Sequence, residues 1–189
     1  MRSVIFLSAL FLSQAFVSNG QDYISLKETI SIPSDSVFYL SLSRKKLTEV
    51  PSKVYSFKNL IGLDLSKNRL TKIPDSISSL LFLESLNLSK NKFEIFPNQI
   101  IHLKNLKTLK LGRNILGYIP KAIEYCPKLE YLDLYDNPIS DFGEGLVFLK
   151  TLKTVDLRGM MYNSKTQESI RKQLMGIHVL FDAPCNCID

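Results

Sequence analysis

Apolar residues recur along the chain with a period of 23. Val37, Leu60, Leu83, Leu106, Leu129 and Leu152 open six successive units. Leu40, Leu63, Leu86, Leu109, Leu132 and Val155 follow three places on, and Leu42, Leu65, Leu88, Leu111, Leu134 and Leu157 two places after those. Between these rows stand Ser, Asp, Lys, Thr and Tyr, so each unit contains a short stretch in which apolar and polar positions alternate. That period of two predicts a strand with one face in a core and the other in water. Two further apolar rows, Val54, Ile77, Ile100, Ile123, Leu146 and Phe57, Leu80, Leu103, Cys126, Leu149, follow prolines at Pro51, Pro74, Pro97 and Pro120. They predict a return path made of a short extended piece and a turn of helix. A fixed period over most of a chain marks stacked coils, each too thin to bury its own apolar face. Stacking lays the strands side by side, about 4.8 Å apart, as a parallel sheet.

Asn68, Asn91, Asn114 and Asn137 share one register in the middle four units. At a position where the chain turns inward, a side-chain amide satisfies backbone groups of neighbouring coils, which a buried leucine cannot do. Together the rows read LxxLxLxxNxL followed by xxxPxxIxxL, and over about 37–174 this resembles the leucine-rich repeat (LRR) family. The resemblance implies an α/β fold: a leucine-rich repeat solenoid, a right-handed superhelix bent into a horseshoe arc. It implies a parallel sheet on the concave side, six 23-residue repeats and helical caps.

The ends depart from the repeat, as the ends of a solenoid must in order to cover its apolar edges. Ser25, Leu26, Lys27 and Glu28 form a capping-box pattern that predicts a short helix, with Leu26 and Ile30 covering the first coil. Lys45 stands at the asparagine position of the first unit and Met160 at that of the sixth. Ser164, Lys165, Thr166 and Gln167 read as a second capping box, opening a helix over about 165–174 with Gly176 as its stop. Ile177, Val179 and Phe181 then alternate like a closing strand. At the other extreme, Arg2 precedes an apolar run from Val4 to Val17, interrupted by Ser8, Ser13 and Gln14. Small residues at Ser18 and Gly20 follow, so the segment reads as a secretory signal peptide cut before Gln21. The run is too short for a comfortable membrane span. The expected organisation is therefore a signal peptide at 1–20, an N-terminal cap at 21–36, six units at 37–174, and a closing strand with a cysteine tail at 175–189.

Composition narrows the chemistry. The chain of 189 residues is 45% hydrophobic and 22% charged, which excludes disorder over most of its length. A net charge of +6 is mild and gives no argument for nucleic acid. Three cysteines and two histidines form no zinc set, and no nucleophile elbow, P-loop, HExxH or dinucleotide fingerprint is present, so neither catalysis nor a cofactor or metal is expected. Cys126 falls on a core row. Cys185 and Cys187 form a CxC pair, which oxidation in an exporting compartment would turn into a disulfide. Asn87-Leu-Ser89 matches a glycosylation sequon.

The expected function is a non-catalytic protein-interaction module that binds a protein ligand on the concave face. Two clusters stand out there. Arg44, Lys67, Lys90 and Arg113 stack one per coil, with Lys110 beside them. Tyr39 lies at one end of the face, and Tyr131, Asp133, Tyr135, Asp156 and Arg158 lie at the other, as exposed tyrosines among charges do at interface anchors. With its signal-like leader and small size the chain resembles small secreted bacterial repeat proteins, and the resemblance implies a location in a periplasm, on a cell surface or outside the cell. Two alternatives stay open: an intracellular scaffold similar to the Ras-group repeat proteins, with an uncleaved N-terminus, and a redox or metal role for the CxC pair.

Overall fold

The computed structural model describes residues 23–185. Eight strands form one parallel sheet in chain order. They are β1 (Ile24–Ser25), β2 (Tyr39–Ser41), β3 (Gly62–Asp64), β4 (Ser85–Asn87), β5 (Thr108–Lys110), β6 (Tyr131–Asp133), β7 (Thr154–Asp156) and β8 (His178–Leu180). From β2 to β7 the strands pair in steps of the sequence period, so that Leu40, Leu63, Leu86, Leu109, Leu132 and Val155 form one continuous row. The two outer strands join off that step, Ile24 against Leu40 and Val179 against Val155. The leucine rows point inward and are essentially without solvent contact.

Each strand is followed by a return segment ending in a 3-10 turn: Ser52–Ser56, Asp75–Ser79, Asn98–His102 and Lys121–Tyr125. Pro51, Pro74, Pro97 and Pro120 stand immediately before them, with φ between −60° and −74°. Proline suits this place because its fixed φ starts the turn and its missing N–H has no partner to lose there. Its carbonyl accepts the N–H three residues on, from Val54, Ile77, Ile100 and Ile123 in turn, and these four side chains are buried. The next return segment, Gly145–Phe148, lacks the proline. Gly145 replaces it with closeness: a Cβ there would sit 2.3 Å from the carbonyl oxygen of Lys121, so only glycine lets this coil approach the one before.

The asparagines bind coil to coil. Asn114 Oδ1 accepts the N–H of Phe93 at 3.1 Å, and its Nδ2 donates to the carbonyls of Leu88 at 3.1 Å and Leu111 at 2.7 Å. Asn137 repeats this on Leu116, Leu111 and Leu134, Asn91 on Leu70, Leu65 and Leu88, and Asn68 on Leu47, Leu42 and Leu65. Each asparagine thus joins its own coil to the preceding one through groups that the strand ladder leaves unpaired.

Both ends differ from the expected caps. Glu28 Oε2 accepts the N–H of Ser25 at 2.5 Å, half of a capping box, but the segment that follows is a 3-10 turn over Glu28–Ser31 beside the two-residue β1. Leu26 packs on the core, whereas Ile30 is 85% exposed and covers nothing. At the other end α1 (Ser164–Gln173) is capped by Asn163, whose side chain accepts from the N–H of Thr166 at 2.8 Å. Asparagine one place earlier fills the role expected of Ser164, because it is the last residue with extended backbone, at ψ 169°. Gly176, at φ +90°, turns the chain from α1 into β8. Phe142, Tyr162 and Phe181 pack edge to face near β8, with the Tyr162 hydroxyl donating to the Ile139 carbonyl at 2.5 Å. The Val4–Val17 run, the cut before Gln21 and Cys187 lie outside the described residues.

Replacing Asn114 by alanine strips the Phe93 N–H of its acceptor and removes one donor from each of two buried carbonyls. A loss of about 3 kcal/mol is expected in urea unfolding. Cys126 is free and buried, and burial pushes its thiol up to about 11. It should remain unlabelled by a thiol reagent at pH 8 in the native protein and react only on unfolding.

Candidate functional site

The face of the sheet opposite the leucines is organised by a second set of local bonds. At the end of β3, β4, β6 and β7 one side chain folds back onto the N–H two residues on. Asp64 accepts from Ser66 at 2.9 Å, Asn87 from Ser89 at 3.0 Å, Asp133 from Tyr135 at 2.9 Å and Asp156 from Arg158 at 3.2 Å. Aspartate and asparagine suit this turn because a short side chain with an acceptor oxygen reaches its own backbone. Lys110 occupies the same register in β5 and has no acceptor to offer.

The chain then turns toward the asparagine through a left-handed residue. Arg44, Lys67, Lys90, Arg113 and Asp136 hold φ between 54° and 59°, and Gly159 takes the next place at φ +83°. A residue with a Cβ costs on the order of 1 kcal/mol in this conformation. The cation row therefore sits where the inward turn of each coil is left-handed, with or without the asparagine that follows it in the four middle units.

A groove of about 590 Å³ runs over this face from β2 to β7. It brings together Lys67, Lys90, Arg113, Tyr131, Asp133, Tyr135, Asp156 and Arg158. Lys110 stands on β5 in register between Asn87 and Asp133 of the groove, and its charge acts on the Asp133 carboxyl, whereas Tyr39 and Arg44 do not line the groove. Tyr39 packs edge-on against Tyr23, with ring centroids 5.6 Å apart, and fills the space over Gly62. Within the groove the charges differ in availability. Asp156 is only 3% exposed and is held by Arg158 through Nε at 2.9 Å and Nη2 at 2.6 Å, so both groups are occupied with each other. Arg113 pairs with Asp136 at 3.4 Å and lies 5.3 Å from the Tyr135 ring centroid. Lys67 and Lys90 make no ion pair among the described residues. Burial, and then the charge of Asp156, raise the carboxyl of Asp133 above the ordinary aspartate value, against the N–H of Tyr135, which lowers it. Burial also raises the Tyr131 phenol.

The groove further contains Ser43, Ser66 and Ser89, with Asp64, Asn87 and Gly112. Sequence reasoning placed these on the water-facing side of the strands without assigning them to a site. The signal was their shared register with the charged residues. Ser43 and Ser66 hydroxyls are 3.0 Å apart. At Gly112 a Cβ would fall 2.7 Å from Asp133 Oδ1, so the missing side chain admits the carboxylate. A second hollow, about 660 Å³, lies under the N-terminal turn among Leu26, Ile30, Ile32 and Lys53. Among the described residues no group of three His, Cys, Asp or Glu side chains is placed to hold a metal ion, and no helix is long and apolar enough to cross a membrane. His102 and His178 are exposed. Cys185 is disulfide-bonded.

An open parallel sheet built coil by coil on an asparagine ladder defines a solenoid repeat protein. The family model for the leucine-rich repeat region matches residues 62–181, and the chain belongs to the leucine-rich repeat family. No curated protein matches it in sequence. Among solved structures it is similar to the plant peptide hormone receptor RGFR1 in complex with RGF2, with 26% identity and a TM-score of 0.54. That similarity covers 67% of this chain and 23% of the receptor chain. It is also similar to a leucine-rich repeat protein of Leptospira interrogans, with 22% identity and a TM-score of 0.41, over 78% of this chain and 61% of that one. The chain thus spans less than two thirds of either protein's length. The family and fold suggest a module for protein interaction.

Asp133→Asn keeps the acceptor for the Tyr135 N–H and removes the half-buried charge. Because the folded pKa is raised, the wild-type penalty is absent below the unfolded value and complete above the folded one. The variant should therefore melt higher than wild type at pH 7, with the difference vanishing at pH 3 in a thermal scan.

Proposed function

We propose that the protein is an exported, non-catalytic interaction module that holds a protein partner in the groove over its sheet. The observation that carries this reading is the groove itself. Unpaired lysines, serine hydroxyls and two half-buried tyrosines are gathered from successive coils onto a backbone fixed by the asparagine ladder. Tyrosines held on a rigid sheet contribute large contact area at little conformational cost, as interface anchors do. The similar structure is that of a plant peptide hormone receptor in complex with RGF2, which supports a peptide or protein segment as the ligand class. Export rests on the apolar run from Val4 to Val17 with Ser18 and Gly20 before Gln21, and the disulfide at Cys185 suits an oxidising compartment.

Affinity capture from the native envelope and medium, with wild type and a Tyr131→Ala/Tyr135→Ala variant, tests the binding reading. Both side chains are partly exposed, so the variant should fold, and it should capture the partner at least about tenfold more weakly. Equal capture by the folded variant would remove this face. N-terminal sequencing of the protein from its native host should begin at Gln21; an intact Met1 would overturn export.

A further inference from the structure

The flank that joins each strand to its 3-10 turn carries a charge pattern that the groove does not use. Beside the left-handed row of Arg44, Lys67 and Lys90 runs a second row, Lys46, Arg69 and Lys92. This row steps from coil to coil: the Arg69 N–H donates to the Leu47 carbonyl at 2.8 Å and the Lys92 N–H to the Leu70 carbonyl at 2.9 Å. Successive members therefore stand on coils about 4.8 Å apart. Lys45 and Lys72 lie on the same flank. All of these cations are exposed, and none makes an ion pair among the described residues. Only Glu49 and Glu94 oppose them within 44–49, 67–72 and 90–95. Like charges stacked at this spacing repel, so an anionic surface meeting the flank relieves the repulsion. In the next coil the rows become apolar. Ile115 follows Lys92, with its N–H on the Phe93 carbonyl at 2.9 Å, and Ile95 and Tyr118 follow Lys72. Ile95 is 62% exposed, Ile115 49% and Tyr118 44%. Further on the flank turns acidic at Asp136 and Asp141. The basic and apolar part thus spans the coils of β2 to β5, about 15 Å.

The apolar residues decide what fits. A soluble polyanion needs the cations alone and leaves Ile95, Ile115 and Tyr118 in water. An anionic bilayer uses both: its headgroups meet the lysines and arginines, and apolar side chains enter the boundary between headgroups and acyl chains. One exposed apolar residue is ordinary, but these three stand on two neighbouring coils at the edge of a cationic field. We infer that this flank docks on an anionic membrane surface, with Lys46, Arg69, Lys72 and Lys92 at the headgroups and Ile95 and Ile115 inserted beside them. The opposite flank, between each 3-10 turn and the next strand, is less suited. Its Lys107 and Lys153 are taken up by Glu84 and Glu130, and its unpaired cations, such as Lys58, Lys128 and Lys150, stand at most one to a coil. Docked on the basic flank, the sheet stands up from the membrane and the groove opens to the side. The inference concerns a second surface and does not rest on the groove reading.

The test is co-sedimentation of the protein from its native host with vesicles of phosphatidylcholine alone, or of phosphatidylcholine with about one quarter phosphatidylglycerol. The anionic vesicles should bind it at least about tenfold more tightly, and raising the salt to about 0.5 M should remove most of the difference. Each cation near an anionic surface strengthens binding about fivefold. Lys46→Gln/Arg69→Gln/Lys92→Gln should therefore lose at least about tenfold on the anionic vesicles. Lys58→Gln/Lys128→Gln/Lys150→Gln removes the same charge from the opposite flank and should lose less than about threefold. Ile95→Ser/Ile115→Ser keeps every charge and should lose at least about threefold. The substituted lysine, arginine and isoleucine side chains are all exposed, so these variants should keep the wild-type circular dichroism. Equal binding to both vesicles, or equal losses from the two charge variants, would overturn the docking flank. Wild-type binding by the isoleucine variant would leave a soluble polyanion as the occupant and overturn the membrane surface. Tyr131→Ala/Tyr135→Ala, in the groove, should leave vesicle binding unchanged, so that failure of the groove reading shows separately.

Discussion

The constraint on which the rest of the molecule depends is the need to satisfy backbone groups at the inward turn of every coil. Strand bonds run out there, yet the turn must be buried for the coils to stack, and an unpaired buried amide or carbonyl is costly. In the four middle coils a single asparagine resolves this with one acceptor and two donors, reaching back to the coil before it. The backbone is left-handed at the residue before this position in each coil, and this puts Lys67, Lys90 and Arg113, each followed by an asparagine, and Arg44, followed by Lys45, at a rim they share. The charge row is thus placed by the same local geometry that holds the stack together.

Features that repeat were legible in the sequence, because a weak signal seen six times in register becomes a strong one. The leucine rows, the asparagine ladder, the proline-led return turns and the buried Cys126 all follow from the period. Features that occur once were legible only in part. β1 is two residues long and has no periodic pattern to mark it. Ile30 has the helical spacing to cover the first coil, but a 3-10 turn points it outward. Asn163 and Ser164 are both good helix caps, and it is Asn163 that has the extended backbone and accepts from the Thr166 N–H.

The site divides in the same way. The face and its charged residues were readable from the alternation of strand positions. Their availability was not, since it depends on which charges find each other. Asp156 and Arg158 stand two places apart and so share a face of β7 and its extension, a signal present in the sequence, but their mutual capture needs the depth at which Asp156 is buried. Asp64, Asn87 and Asp133 carry a backbone turn as well as a polar surface, and this dual use explains why small acceptors recur in that register.

The off-step strands at the two ends have a consequence for assembly. A stack of equivalent coils is a template for its own extension, and a second copy set end to end would continue the ladder without limit if the terminal coils resembled the inner ones. Here β1 offers only two residues, Ile24 and Ser25, and β8 meets β7 with α1 packed beside it rather than a further return turn. Among the described residues neither terminal strand carries the asparagine or the leucine spacing of the inner coils. Within the described residues, the length of the groove is thus set by where the 23-residue repeat stops.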